Sequence, residues 1–131
     1  MDKKIRYTLS RNEKLKGRKA IEQLFSVGKS FTISPFRLFY FIPEETDGEI
    51  LQAGFTVSTK YFKKAVDRNR VKRLLREAYR LQKQILTDDL TLTNKRLRFF
   101  IIYTGNELPD YNMVFEKVTA ILKRFQKIIN A

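Results

Sequence analysis

The fold of this chain is constrained most by one segment that has the periodicity of an amphipathic helix. The segment is DRNRVKRLLREAYR, residues 67–80. At 100° per residue its apolar side chains fall on one face, which a folded protein has to cover. We predict a helix from about Asp67 to Leu86, with a buried stripe made of Val71, Leu74, Leu75, Ala78 and Leu81. The opposite face is left to solvent or to a partner.

The exposed side of this helix carries much more positive than negative charge. Only Asp67 and Glu77 offset its cations, which are Arg68, Arg70, Lys72, Arg73, Arg76 and Arg80. Like charges at i,i+4 repel each other weakly, and a neighbouring polyanion would reverse that cost. The alternative is a solvated helix face, since most charge runs on helices are no more than that.

Charge along the rest of the chain points the same way. The formal net charge is +13, of which residues 1–19 carry +6 and residues 60–83 carry +8. Residues 30–59 between them carry −3. Two basic segments separated by an apolar, slightly acidic block indicate a nucleic-acid partner. Arginine suits phosphate because its planar guanidinium donates two parallel hydrogen bonds.

The sequence before the basic helix has the patterns of one helix and two strands. Apolar spacing predicts a helix over about residues 17–27, with Gly28 as its stop. Alternation then predicts a single strand, in which Pro35 marks a bulge or an edge position, in FTISPFRLFYFI. Asp47 and Gly48 favour a hairpin into the next strand, ILQAGFTVS.

The sequence after the basic helix completes a single domain. TDDLTLTN is interpreted as a connector, LRFFIIY as a strand buried on both faces, and residues 113–129 as a final helix. The predicted fold over residues 1–131 is α+β: a sandwich with one mainly antiparallel sheet of about four strands, in the order α-β-β-(β)-α-β-α. Residues 1–11 are expected to form a mobile basic arm.

Aromatic and amide side chains add candidates for base contacts. Phe25 on the first helix, with Phe39 and Phe41 on the non-core face of the first strand, could line a groove for stacked bases. Packing in the core is the alternative for each of them. Asn69 could contact a sugar or a base edge, or it could cap the basic helix.

The composition argues against catalysis by this chain. It contains no cysteine and no histidine, which excludes thiolate nucleophiles, imidazole acid–base catalysis and the commonest metal ligands. The adjacent carboxylates Glu44–Glu45 and Asp88–Asp89 are typical of exposed loops. We therefore predict no catalytic residue and no metal ligand. No apolar run reaches membrane-spanning length, and without a secretory signal we expect a cytoplasmic location.

Residues 54–80, GFTVSTKYFKKAVDRNRVKRLLREAYR, resemble the signature of the bacterial ribonuclease P protein family. The resemblance lies in a strand end followed by a lysine, an Ala-Val pair and an arginine-asparagine-arginine helix. Those positions here are Val57, Ser58, Lys60, Ala65, Val66, Arg68, Asn69, Arg70, Lys72, Arg73, Arg76 and Glu77. The chain length, the basic N-terminal segment, LFSVGKSF and the closing helix also fit.

The resemblance implies a role beyond what charge alone indicates. It implies a left-handed βαβ crossover, a partnership with a catalytic RNA, and removal of the 5′ leader from precursor tRNA by that RNA with Mg²⁺. The implied RNA-binding residues are Lys60, Arg68, Asn69, Arg70, Lys72, Arg73 and Arg76, and helical spacing adds Arg80 to the same face. The implied residues of a cleft for the single-stranded leader are Ile21, Phe25 and Phe39, and Lys16 is a further candidate for it. Ile21 departs from the phenylalanine that some relatives carry there.

The expected partners are thus the catalytic RNA of ribonuclease P and precursor tRNA, with no membrane and no obligate protein partner. A structural RNA-binding protein, such as a ribosomal component, is the alternative that charge supports equally. A nuclease acting without RNA is a third hypothesis. A DNA-binding helix lacks support, because no paired helix-turn-helix precedes the basic helix.

Overall fold

The computed structural model describes residues 14–15, 18–44 and 48–131. The predicted arm, residues 1–11, and the predicted cleft residue Lys16 lie outside these residues. The described residues form four helices and four strands: α1 Arg18–Val27, β1 Lys29–Ile33, β2 Phe36–Phe41, β3 Leu51–Val57, α2 Ala65–Gln82, α3 Gln84–Thr93, β4 Leu97–Tyr103 and α4 Tyr111–Ile129.

The strands form one sheet in the order β1-β2-β4-β3. The β1–β2 and β2–β4 pairs are antiparallel, whereas β3 and β4 are parallel. The predicted α+β class with one mainly antiparallel sheet of four strands is confirmed. Helices α2 and α3 form the crossover between the two parallel strands, and its left-handedness stays a prediction.

The predicted hairpin between the second and third strands is wrong. Strand β4 lies between β2 and β3, and it pairs Phe39 with Phe100 on one side and Gly54 with Phe100 on the other. Gly48 does turn the chain, with a φ of 84°. A turn residue specifies a local bend, however, and the pairing partner is set by which strands bury their apolar faces together.

The single strand predicted for FTISPFRLFYFI is two strands. β1 ends at Ile33 and β2 begins at Phe36, and they pair directly as an antiparallel hairpin. Pro35 lies in the turn, where its missing N–H breaks no ladder hydrogen bond. The proline therefore marks a reversal of the chain, and the prediction of a bulge or an edge position was wrong.

The connector predicted after the basic helix is helical, and the basic helix is shorter than predicted. α2 ends at Gln82, and α3 follows with Leu86 and Leu90 fully buried on one face. The threonine hydroxyls donate to carbonyl oxygens of the preceding turn, as in Thr91 to Thr87 at 2.8 Å, so their hydrogen bonds are formed within the helix. Asn94 ends α3 in the left-handed conformation.

The sheet separates a core face from an outer face. On the core face, the ring centroid of Phe99 lies 4.9 Å from that of Phe125 in α4 and 5.5 Å from that of Tyr79 in α2. The outer face packs against α1. Strand β4 is fully buried on its core face only, because its outward residues Arg98, Phe100 and Ile102 are half-buried. The prediction that this strand is buried on both faces was wrong. The outer face comprises Ser30, Thr32, Arg37, Phe39, Phe41, Gln52, Gly54, Thr56, Arg98, Phe100 and Ile102.

Candidate nucleic-acid interface

Helix α2 turns an apolar side inward and a basic side outward. Its buried residues are Val71, Leu75, Ala78 and Tyr79. The predicted buried stripe was wrong at Leu81, which is exposed because it lies one turn after Glu77 on the outward side of the helix. Leu74, also in the predicted stripe, is half-buried. We call the outward side the basic face: the exposed Asn69, Arg70, Arg73 and Arg76, with the half-buried Lys72 and Arg80 at its margins.

Most cations of the basic face have no carboxylate partner among the described residues. Glu77 is paired with Arg80, with 2.6 Å between Oε1 and Nη2. The hydrogen bond from Arg80 lowers the pKa of Glu77, so this carboxylate is ionised at neutral pH. Within the described part of the chain, Arg70, Arg73 and Arg76 form no ion pair. Their charge is therefore available to an external anion.

Arg68 differs from the other arginines because its guanidinium bonds the chain itself. Its Nη1 donates to the carbonyl oxygens of Phe62 at 2.9 Å and Lys63 at 2.7 Å. These bonds hold the loop that leads into α2, which has no side-chain cap at Lys64. The sequence indicated Arg68 only as an RNA contact, and its role in bracing the loop was missed.

Asn69 does not cap α2. The helix begins at Ala65, earlier than predicted, so Asn69 lies beyond the first turn, where helix N–H groups already have partners. Its side chain is exposed and lines a shallow depression together with Val66, Arg70 and Arg73. The capping hypothesis is wrong, and the amide is placed among cations on the basic face.

The outer face carries a cluster of three aromatic rings. The Phe25 centroid lies 4.7 Å from that of Phe39 in an edge-on arrangement, and 6.0 Å from that of Phe100. We call these three rings the outer aromatic cluster. Phe25 remains 43% exposed, so its ring offers a surface to a ligand. Ile21, one turn earlier on α1, is half-buried.

Two residues of the outer face, Phe100 in the cluster and Arg37 beside it, were missed by the sequence prediction. Phe100 was assigned to a strand buried on both faces, and only the alternation of burial in β4 places it outward. The Arg37 guanidinium carbon lies 4.9 Å from the Phe39 ring centroid, on the exposed side. Arg37 could have been found, because it is the single cation of residues 31–59.

The loop that leads into α2 and Arg37 of the outer face lie at the same end of the sheet. β3 and β4 end together at Val57 and Tyr103, and the loop to α2 leaves from there. Phe62 of that loop packs on Tyr103, with 6.0 Å between ring centroids. Arg37 lies one residue from this end of the sheet, in register with Ile102. The N-terminal end of α2 and the cation next to the outer aromatic cluster therefore lie at one end of the sheet.

Gly54 is required for the position of the Phe100 ring. A Cβ at Gly54 would stand 2.4 Å from Phe100 Cε2 and 3.3 Å from the Leu15 carbonyl oxygen. We expect Gly54→Ala to lower the free energy of unfolding by about 1–3 kcal/mol, measured by urea denaturation. Phe100→Leu should relieve the clash. The variant with both substitutions should therefore lose less free energy of unfolding than the sum of the losses of the two single variants. Strict additivity would contradict this explanation.

The two carboxylates of α3 accept hydrogen bonds from amide side chains, one of them across to α4. Asp89 accepts a hydrogen bond from Gln126 of α4 at 2.9 Å, and Asp88 accepts one from Gln84 at 2.9 Å. Asp88 and Asp89 thus lie in α3 and not in the loop that was expected. No cluster of potential metal ligands occurs among the described residues. None of the helices described is long and apolar enough to cross a membrane.

Comparison with known proteins gives consistent matches. Residues 9–126 match the family model described as Ribonuclease P. The chain is 38% identical over 108 residues to the ribonuclease P protein component of Porphyromonas gingivalis, covering 82% of this chain and 79% of that protein. It is 45% identical over 82 residues to the ribonuclease P protein component of Chlorobaculum tepidum, covering 60% of this chain and 53% of that protein. The RNase P protein from Thermotoga maritima superimposes with a TM-score of 0.64 at 26% identity, over 86% and 96% of the two chains.

Proposed function

Because this chain belongs to the ribonuclease P protein family, we propose that it is the protein subunit of a ribonucleoprotein that removes the 5′ leader of precursor tRNA. The observation that carries this proposal is the basic face of α2, whose exposed arginines lack carboxylate partners in the described part of the chain. Such a face fits the phosphates of folded RNA. We place the complex in the cytoplasm.

We assign the basic face to the catalytic RNA subunit. Arg70, Arg73 and Arg76 can each donate bidentate hydrogen bonds to a phosphate, and Asn69 between them can reach a sugar or a base edge. Lys72 lies at the margin of this face, and the exposed Lys60 adds a cation in the loop that precedes α2. Arg68 contributes mainly by holding the loop before α2, since two of its hydrogen bonds go to backbone carbonyls.

We assign the outer aromatic cluster to the single-stranded leader. Phe25 and Phe39 present rings on which bases can stack, with Ile21 as an apolar wall beside them. Arg37 over Phe39 supplies a cation for the leader backbone. Lys16 remains a candidate for the same cleft.

We infer that Mg²⁺ is held by the RNA. Apart from Glu77, which pairs with Arg80, the side chains of both surfaces are arginines, lysines, amides and aromatic rings, whereas Mg²⁺ prefers carboxylate and phosphate oxygens. Cations on the protein would lower the repulsion between the two RNAs and so favour the bound precursor. The chain would then act by binding, and the RNA would perform the hydrolysis.

Reconstitution tests this function. Purified protein is added to a ribonuclease P RNA and a precursor tRNA at low Mg²⁺, and the release of the leader is followed. We expect cleavage to increase strongly with the protein present. Unchanged cleavage despite a folded protein would contradict the proposal and favour a structural RNA-binding role. Protein without RNA is the control, and cleavage there would indicate a nuclease activity of the chain.

Removing the carboxylate from the basic face should strengthen RNA binding. Glu77→Gln breaks the ion pair with Arg80 and removes a negative charge that repels phosphate, so affinity should rise by up to about fivefold at roughly 0.15 M salt. The measurement is a binding titration with the RNA subunit at several salt concentrations. Glu116→Gln, on the exposed side of α4, removes the same charge elsewhere. Equal gains in both variants would indicate a nonspecific charge effect.

A further inference from the structure

Tyr61 is an aromatic residue presented to solvent in the loop between β3 and α2. Its side chain is 49% exposed, whereas the adjacent Phe62 is only 6% exposed and packs on Tyr103. Phe62 therefore supplies the apolar anchor of the loop. Tyr61 is left with a ring surface that the packing of the domain does not use.

The loop that carries Tyr61 is held by hydrogen bonds from both sides. The Ser58 N–H donates to the Tyr103 carbonyl oxygen at 2.9 Å where the loop leaves the sheet. Arg68 donates to the carbonyl oxygens of Phe62 and Lys63 where the loop enters α2. A ligand that contacts Tyr61 therefore meets a backbone that is already ordered, which lowers the entropic cost of binding.

The surroundings of Tyr61 are cationic. The Lys60 Nζ lies 5.3 Å from the ring centroid of Tyr61. Lys63 and Lys64 are also exposed, and residues 58–64 contain no carboxylate. A ring flanked by lysines matches the way proteins bind unpaired nucleotides, where the ring stacks on the base and the cations contact phosphates.

We propose that Tyr61 stacks on an unpaired base of an RNA bound beside the start of α2. This inference rests on the proposed function and adds a stacking contact to an interface otherwise made of charged groups and the Asn69 amide. The base belongs either to the catalytic RNA or to the precursor tRNA, since the loop leads into α2 and leaves the sheet at the end where Arg37 lies. Stacking needs only a π-face, so the contact is tolerant of base identity.

The test compares Tyr61→Leu with Tyr61→Phe in titrations at several salt concentrations. One arm uses the RNA subunit alone and the other adds precursor tRNA to the assembled complex, which distinguishes the two sources of the base. We expect Tyr61→Leu to weaken binding about tenfold in one arm, with an unchanged slope of log K against log salt. Tyr61→Phe keeps the ring and should bind like the wild type. Lys63→Ala should instead reduce the slope.

Two results would overturn the inference alone. The first is wild-type affinity of Tyr61→Leu in both arms. The second is a weaker affinity with a slope reduced by about one, because the ring would then serve only to position Lys60. Wild-type protein that binds neither RNA would overturn the proposed function and this inference with it. The unfolding midpoints of Tyr61→Leu, Tyr61→Phe and the wild type should not differ, since the side chain of Tyr61 is exposed.

Discussion

Replacing Arg73 and Arg76 together by alanine is expected to weaken binding to ribonuclease P RNA by about 25-fold at roughly 0.15 M salt, or about fivefold for each arginine removed from a phosphate. Both side chains are exposed and form no ion pair within the described residues. The slope of log K against log salt should fall by nearly two units. The measurement is a series of binding titrations at different salt concentrations.

A matched control for this variant lies on α4. Lys123→Ala with Lys127→Ala removes two exposed cations from another helix and lowers the net charge equally. If binding depends on the basic face, the α4 pair should change the slope much less. An equal change in both double variants would contradict a defined interface. Circular dichroism should give similar unfolding transitions, because none of the four side chains is buried.

Arg68→Ala should behave differently from the variants at Arg73 and Arg76. Its guanidinium holds the carbonyl oxygens of Phe62 and Lys63, so its loss should loosen the loop before α2 as well as remove a charge. The sequence could not reveal this, because nothing in the spacing of the arginines distinguishes a residue aimed at solvent from one aimed back at the chain. The assignment needs the geometry.

The sequence predicted the helices and strands whose apolar residues recur with a clear period. It did not predict features that depend on which distant elements pair. Alternation in β2 correctly separated Leu38, which lies on the core face, from Phe39 on the outer face, because successive side chains of a strand point to opposite faces. The place of β4 between β2 and β3 could not be predicted. It depends on pairing across the α2–α3 crossover, and no local turn pattern records that pairing.

The candidate site shows the same division between local and distant effects. The basic face follows from helical spacing alone, so it was found in the sequence. The outer aromatic cluster needs α1, β2 and β4 brought together, so the sequence indicated two of its members, Phe25 and Phe39, together with Phe41, which is not in the cluster, and missed Phe100. A contact between two distant elements is visible in the sequence only when a pattern on each of them already points to it.

Replacing Phe25 or Phe39 by leucine is expected to reduce the preference for precursor over mature tRNA by about tenfold, since stacking on one base contributes roughly 1–3 kcal/mol. Leucine keeps most of the apolar volume that packs against Phe100 but removes the ring surface. The measurement compares the affinity of the assembled complex for precursor tRNA with a long leader and for mature tRNA. Affinity for mature tRNA should not change.

Phe115→Leu is the matched control for these two variants. Phe115 is half-buried on α4, so its replacement perturbs packing to a similar degree without touching the outer face. We expect it to leave the preference for the leader unchanged even if the unfolding midpoint falls. If Phe25→Leu and Phe39→Leu lowered stability like the control and kept the preference, the outer aromatic cluster would be a packing feature. The leader would then have to be held by cations such as Arg37 alone, and the preference would depend on salt instead of on the rings.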